Sequence, residues 1–217
     1  MNYGNIKTCD ISNGPGIRVS LFVSGCRNDC IGCFNKDTHD FNYGKPFDSD
    51  AEYIIKQELE KDYVNGLTIL GGEPFEEENQ DEILWLINRI KDVYGDKKDI
   101  WIYTGYKLIE DLFRWNGKKH VDYFTNDKYF SLTSDILEKV DYIVDGPFML
   151  GLKNPDLAYR GSENQHIINM HKFREFVKNN KIDYKSSRDI KMLHRNFSLF
   201  DDSIYFDNRF KRINGKN

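Results

Sequence analysis

Residues 16–35 read GIRVSLFVSGCRNDCIGCFN, a run of β-branched and aromatic residues that leads into a loop with three cysteines. The first half predicts a β-strand, because such residues fit a pleated, half-buried surface. At its carboxyl end the strand delivers a Cys-x3-Cys-x2-Cys loop, formed by Cys26, Cys30 and Cys33. The fourth cysteine, Cys9, lies upstream without a local partner, and we assign it no part in a cluster.

Apolar periodicity along the rest of the chain predicts alternating strands and helices. Beyond the strand at 16–25, strands are predicted at residues 67–70, 99–104, 141–144 and 166–169. Helices are predicted at residues 49–62, 76–94, 107–115 and 134–140, the last with Ser134 as its N-cap, and residues 116–133 are predicted to be an insertion. This alternation implies βαβ crossovers. We expect an α/β fold with a mostly parallel sheet in a partial, open βα barrel, because the strands are too few for a full barrel.

Motifs rich in glycine follow the ends of the predicted strands. The segments 71–74 (GGEP), 104–105 (TG) and 145–146 (DG) each lie where such a strand ends. In parallel α/β sheets, ligands bind at the edge where the strands have their carboxyl ends. The cysteine loop and these motifs are therefore expected to share one site.

The amino-acid composition of residues 171–217 differs from that of the rest of the chain. The chain has 217 residues, of which 39% are hydrophobic and 30% charged, enough to bury a core. Residues 171–217 carry a net charge of +6 and many aromatic side chains, whereas the remainder carries −10. We therefore divide the chain into a core at residues 1–170 and a basic, aromatic C-terminal extension at residues 171–217, whose role the sequence leaves open. A charge run of this kind is more often a solvated face than a nucleic-acid site.

The chain lacks the marks of a secreted or membrane protein. No stretch approaches the roughly 20 apolar residues that span a bilayer. The first ten residues, MNYGNIKTCD, contain no basic region followed by an apolar run. We expect a cytoplasmic protein, in which clustered cysteines are ligands or reactive groups rather than disulfides.

The three clustered cysteines allow three interpretations. Buried structural cysteines would form a poor core on a polar, glycine-containing loop. A zinc site would need His39 as a fourth ligand, although the common structural zinc pattern has two separated ligand pairs. An iron–sulfur cubane normally takes four thiolates, so three would leave one iron free to bind another molecule. The spacing favours iron–sulfur but leaves zinc open.

Cys-x3-Cys-x2-Cys after the first predicted strand resembles the signature of the radical S-adenosylmethionine (radical SAM) enzymes. The segment ILGGEPF, residues 69–75, is similar to the Gly-Gly-Glu motif of that family. The resemblance implies that the three cysteines ligate a [4Fe–4S] cluster whose open iron binds S-adenosylmethionine (SAM). It also implies the SAM contacts Gly32, Cys33, Phe34, Gly71, Gly72, Glu73 and Pro74. Gly32 stands where many members carry an aromatic residue.

Five segments resemble the activating proteins of class III anaerobic ribonucleotide reductases. They are DISNGPGIRVSLFVSGC (10–26), GCFN (32–35), IWIYTGY (100–106), VDGPF (144–148) and RGSENQHII (160–168). The resemblance implies an activase that cleaves SAM at a reduced cluster to a 5′-deoxyadenosyl radical, which takes a hydrogen from a glycine Cα. It implies as partners the reductase large subunit with its glycyl radical loop, a reducing donor such as flavodoxin, and a second copy in a homodimer.

Other hypotheses use the same residues. An activase of another glycyl radical enzyme, or a small radical SAM synthase acting on a free metabolite, would need the same motifs. A zinc-binding regulatory module would use the cysteines and His39, but it has no need of the GGEP segment. No catalytic side chain is expected beyond the cluster and SAM ligands. Several polar residues near strand ends have a location but no assigned role: Arg18, Thr104, Asp145, Arg160, Asn164 and Gln165.

Overall fold

An open sheet forms the centre of the molecule. The computed structural model describes residues 1–113, 127–183 and 186–213. Within these ranges the strands are β1 (Asn2–Asp10), β2 (Ile17–Val23), β3 (Lys45–Pro46), β4 (Val64–Gly71), β5 (Asp99–Tyr103), β6 (Tyr142–Asp145) and β7 (His166–Asn169). They lie side by side in the order β3-β1-β2-β4-β5-β6-β7.

The middle of the sheet is parallel and its margins are antiparallel. Strands β2, β4, β5 and β6 run parallel to one another. Strands β3 and β1 at one side, and β7 at the other, pair antiparallel with their neighbours. The α/β class, with a largely parallel core in an open, partial barrel, is therefore confirmed. The four parallel strands bring the loops that follow them to one edge.

Helices follow the strands along the chain. They are α1 (Ser49–Leu59), α2 (Glu77–Tyr94), α3 (Asp127–Leu137), α4 (Met170–Asn179), α5 (Ser187–Arg195) and α6 (Ser203–Ile213). Helix α1 begins where the Asp48 carboxylate accepts hydrogen bonds from the backbone N–H groups of Asp50 and Ala51. A π-helical turn at Leu108–Phe113 follows β5.

The two faces of the sheet have different partners. Side chains alternate along a strand, so neighbouring residues face opposite sides. Ile100 and Ile102 of β5 belong to the main core, which α1 and α2 cover. Trp101 belongs to a second, smaller cluster with Val144 and with Phe206 of α6. We call the side that bears Trp101 the inner face of the sheet.

Several predicted elements differ in the structure. Strand β1 was not predicted, because most of its side chains are polar and at least partly exposed and give no apolar alternation. Helix α3 begins at Asp127, so Ser134 lies inside the helix and its prediction as N-cap is wrong. The helix predicted at 107–115 is the π-helical turn. Residues 114–126, which include most of the predicted insertion, lie outside the described residues.

The C-terminal extension follows the last strand directly. Its helices α4, α5 and α6 begin after Asn169, the last residue of β7. Phe173 and Phe200 of the extension lie in the main core, whereas Phe206 lies on the inner face. No helix in the described ranges is both long and apolar enough to cross a bilayer.

Candidate active site

A cavity of about 720 Å³ opens where the parallel strands end. The loops after β2, β4, β5 and β6 all contribute to its wall. Their lining residues include Cys26, Cys30, Cys33, Phe34, Gly71, Gly72, Glu73, Thr104, Gly105 and Gly146. The structure thus brings together the predicted cysteine ligands and most of the predicted SAM contacts. Gly32 and Pro74 belong to the same loops but are not among the lining residues.

A hydrogen bond and an ion pair attach the cysteine loop to the start of helix α2. The backbone N–H of Arg27 donates to Glu76 Oε1 at 2.8 Å. The Arg27 guanidinium pairs with Glu76 and also reaches Glu78. The carboxylate of Glu76 is almost fully buried, whereas the Arg27 side chain is 44% exposed, so water is excluded from the Glu76 side of this contact only. The loop is therefore anchored between its first two cysteines.

The Gly-Gly turn packs against the end of β2 with no space for side chains. A Cβ on Gly71, whose φ is +110°, would lie 2.7 Å from the carbonyl oxygen of Val23. A Cβ on Gly72 would lie 2.5 Å from the carbonyl oxygen of Gly25. The backbone N–H of Gly72 donates to Val23 O at 2.7 Å. Only glycine permits this approach of the turn to the cysteine loop.

The carboxylate of Glu73 joins three loops. It accepts hydrogen bonds from Thr104 Oγ1 at 2.8 Å, from Gly105 N at 2.7 Å and from Asn28 Nδ2 at 3.1 Å. It also accepts from Phe75 N at 3.0 Å. Burial raises the pKa of Glu73 to about 7, against the opposing effect of these hydrogen bonds. The sequence did not predict these hydrogen bonds, because Asn28 and Thr104 lie far from Glu73 along the chain and no pattern connects them.

The three thiols form a suitable donor set for an iron–sulfur cluster. All three cysteines are free and partly buried, and they line one cavity. Cys33 Sγ accepts a hydrogen bond from Asn35 N at 3.4 Å, the kind of bond that surrounds cluster sulfurs. Burial raises the pKa of Cys26 to about 12 and also raises that of Cys30, so metal binding must release their protons.

The zinc alternative calls on His39 as a fourth ligand. His39 lines the same cavity, and its Nδ1 lies 3.8 Å from Asp29 Oδ1. In the part of the chain that the structure describes, no three His, Cys, Asp or Glu side chains are grouped closely enough for one metal ion.

Residues without an assigned role have distinct locations. Arg18 is buried on the inner face, where its Nε donates to Thr68 Oγ1 at 2.7 Å. Asp145 Oδ2 accepts from the backbone of Leu108 at 2.9 Å, which fixes the start of the π-helical turn. Gln165 and Arg160 line the cavity.

Comparison with known proteins identifies the family. A family model described as a 4Fe-4S single cluster domain matches residues 12–168. The chain is 37% identical to the anaerobic ribonucleoside-triphosphate reductase-activating protein of Escherichia coli (strain K12), over 77% of this chain and 97% of that protein. The chain belongs to this family. It is also 36% identical to the protein of that name from Enterobacteria phage T4, over 77% of this chain and 93% of the phage protein.

Membership of the reductase-activating family confirms the predicted cofactors. The matched residues 12–168 contain the cysteine loop, the Gly-Gly-Glu turn and the rest of the cavity's lining from β2 onward. The family is built on a [4Fe–4S] cluster domain, and its radical SAM chemistry implies SAM. Helices α4, α5 and α6 all lie beyond the end of the matched segment.

Proposed function

We propose that this chain activates an anaerobic ribonucleoside-triphosphate reductase by generating a glycyl radical on the reductase. The observation that carries the proposal is the convergence of three free cysteines and the Gly-Gly-Glu turn on one cavity. The relatives that carry the name of this activity cover most of the chain, which supports the assignment.

Cys26, Cys30 and Cys33 are proposed to hold the [4Fe–4S] cluster through their thiolates. When bound, the cluster and SAM supply one electron and a carbon-centred radical that takes hydrogen from a glycine Cα. The side chains around the cysteine loop hold the three cluster ligands in position. Arg27 and Glu76 hold the cysteine loop on helix α2, so the three thiols keep their spacing. The partial burial of all three limits access of water.

The turn at 71–74 is proposed to contact SAM together with Gly32, Cys33 and Phe34. The side chain of Glu73 is fully engaged with Thr104, Gly105 and its other donors. Glu73 therefore acts on SAM through backbone groups and by fixing the turn, not through its carboxylate. Because Gly71 and Gly72 have no side chains, the backbone of the turn is free to approach the ligand.

The finer assignment of partners is also proposed. The reductase presents its glycyl radical loop to the cavity, and a flavodoxin-type donor reduces the cluster. Ile31, between two of the cysteines, is 80% exposed, which places the cysteine loop at the surface where a donor can approach. Tyr53 and Trp85, exposed on α1 and α2, support self-association as a homodimer. Free clustered cysteines support a cytoplasmic location.

The test is an anaerobic reconstitution. The protein is purified without oxygen, loaded with iron and sulfide, reduced with dithionite and mixed with SAM and the reductase of the same organism. We expect 5′-deoxyadenosine and an electron paramagnetic resonance signal of a glycyl radical on the reductase. Cys30→Ala should abolish both products.

Cys9→Ala is the matched control, because Cys9 is an exposed free cysteine and the family model does not include it. This variant should retain iron content, SAM cleavage and radical yield. If the wild type cleaves SAM but never forms a glycyl radical on the reductase, the proposed substrate is wrong. If it binds zinc and cleaves no SAM, the radical chemistry itself is wrong.

A further inference from the structure

One wall of the cavity comes from the loop between β6 and β7. Leu157, Tyr159, Arg160 and Gly161 line the cavity from this loop. Tyr103 at the end of β5 donates through its hydroxyl to the carbonyl oxygen of Tyr159 at 2.8 Å, which ties this wall to the sheet. We call residues 157–161 the loop wall.

The C-terminal extension holds the loop wall through Asp207 of helix α6. Asp207 Oδ1 accepts from the backbone N–H of Ala158 at 2.9 Å. Its two carboxylate oxygens also pair with Arg160, with Nη2 to Oδ2 at 2.7 Å and Nη1 to Oδ1 at 3.3 Å. The Arg160 side chain is only 5% exposed, so this is a desolvated, two-pronged pair.

Phe206 supports the same attachment. Its ring lies 5.4 Å from that of Trp101 and 5.8 Å from that of Tyr159. Phe206 is 4% exposed, so helix α6 is seated on the inner face beside the cavity. The aromatic contact fixes the helix, and the neighbouring Asp207 fixes the loop wall.

One donor of Arg160 remains free within the described residues. Its Nε is buried and has no hydrogen-bond partner, although both Nη atoms are bound to Asp207. Because the Nε atom is buried, Arg160 lines the cavity through its other atoms, and the ion pair with Asp207 fixes where those atoms lie.

We infer that Asp207 is a positioning residue that sets the loop wall to receive the reductase's glycine-containing loop. The inference rests on the proposed function. It assigns the wall to the protein substrate rather than to SAM, because the proposed SAM contacts lie in the loops after β2 and β4, whereas the loop wall follows β6.

The test compares Asp207→Asn with Asp202→Asn. Asp202 lies in the same extension, but it pairs with Lys172 and Asn169, which do not line the cavity. For Asp207→Asn we expect the KM for the reductase to rise about tenfold, because a charge-assisted contact is lost. SAM cleavage without reductase should stay within about twofold of wild type. Asp202→Asn should change neither quantity.

Two further measurements separate positioning from general stability. Hydrogen exchange in cluster-free protein should quicken in peptides covering 154–162 of Asp207→Asn, while β5 stays protected. Arg160→Lys keeps one charge-assisted contact of the two-pronged pair, so it should raise the KM for the reductase less than Asp207→Asn does and quicken that exchange less.

The possible results are distinguishable. An unchanged KM for the reductase, or an equal loss of reductase-free SAM cleavage, overturns the inference. Exchange that quickens throughout β5 overturns it as well, since the role would then be structural. If the wild type forms no glycyl radical, the proposed function fails. In that case the exchange data still decide whether Asp207 holds the wall.

Discussion

The two sides of the cavity are built in different ways. On the cysteine side, backbone packs on backbone, since Gly72 N donates to Val23 O and Glu73 N donates to Gly25 O, each at 2.7 Å, and the buried Glu73 carboxylate ties the neighbouring loops to this turn. On the loop-wall side, the contacts run through side chains, and the central one joins Arg160 to Asp207 of the extension. A backbone-built wall tolerates few substitutions, whereas a side-chain wall can be changed one contact at a time.

This difference separates two tasks. Cofactor chemistry needs fixed distances, and packed glycine turns supply them. Recognition of a protein partner needs a surface that can change between relatives. The contact of helix α6 with the loop wall supplies such a surface. The substitutions below test whether the two sides are as different as their contacts indicate.

The largest effect is expected from Glu73→Ala on the cysteine side. The substitution leaves the buried donors of Thr104 and Phe75, and the partly buried donors of Gly105 and Asn28, without their acceptor. Each unsatisfied buried donor costs about 1–3 kcal/mol, so the free energy of unfolding should fall by about 4 kcal/mol. Urea denaturation of the cluster-free protein measures it.

The control for this substitution is Glu175→Ala, at an exposed position on helix α4. Its free energy of unfolding should stay within about 0.5 kcal/mol of wild type. Equal changes in the free energy of unfolding for the two substitutions would show that the hydrogen bonds of Glu73 do not stabilise the cavity.

The next effect is expected from Phe206→Ala on the loop-wall side. This side chain is 4% exposed and packs on Trp101, in the middle of β5. Truncating a buried phenylalanine typically costs about 3 kcal/mol or more. Ile204→Ala, at a residue 74% exposed on the same helix, should be nearly neutral. A loss confined to α6, with exchange in β5 unchanged, would contradict the view that the extension is part of the core.

These two residues show how far sequence reasoning extends. Glu73 lies in a motif that pattern and resemblance both predict, together with the parallel sheet and the position of the cysteines. Phe206 lies in an extension whose composition gives only charge and aromatic content. Its contact with Trp101 joins positions about 100 residues apart, and no periodicity encodes such a pairing. Local patterns predict elements, but tertiary packing decides which of them meet.

A smaller effect is expected from Gly72→Ala. The added Cβ would lie 2.5 Å from Gly25 O and 2.8 Å from Thr38 O, and both are backbone atoms that cannot simply turn aside. We expect a loss of about 2 kcal/mol in the free energy of unfolding, with reduced iron retention after reconstitution. Gly151→Ala is the matched control, because its Cβ would meet nothing within 4 Å. A stable Gly72→Ala protein with a full cluster would contradict the close-packed turn.

The smallest effect concerns pH and tests the boundary between the two sides. His166 Nδ1 lies 3.3 Å from Asp145 Oδ1, and this contact raises the pKa of His166 above its usual value of 6.5. The contact of protonated His166 with Asp145 stabilises the folded state, fully below about pH 6.5. This stabilisation is lost as the pH rises through the pKa that His166 has in the folded state. Because the ring is 40% exposed, we expect no more than about 0.5 kcal/mol.

Histidine proton resonances followed by NMR from pH 5 to 9 measure this pKa directly. Asp145→Asn should return the His166 pKa toward 6.5, because the carboxylate contact that raises it is lost. A wild-type His166 pKa at or below 6.5 would show that the Asp145 carboxylate interacts with the backbone N–H of Leu108 and not with the His166 ring. The π-helical turn and the start of β7 would then be independent, and Asp145 at the end of β6 would not couple them.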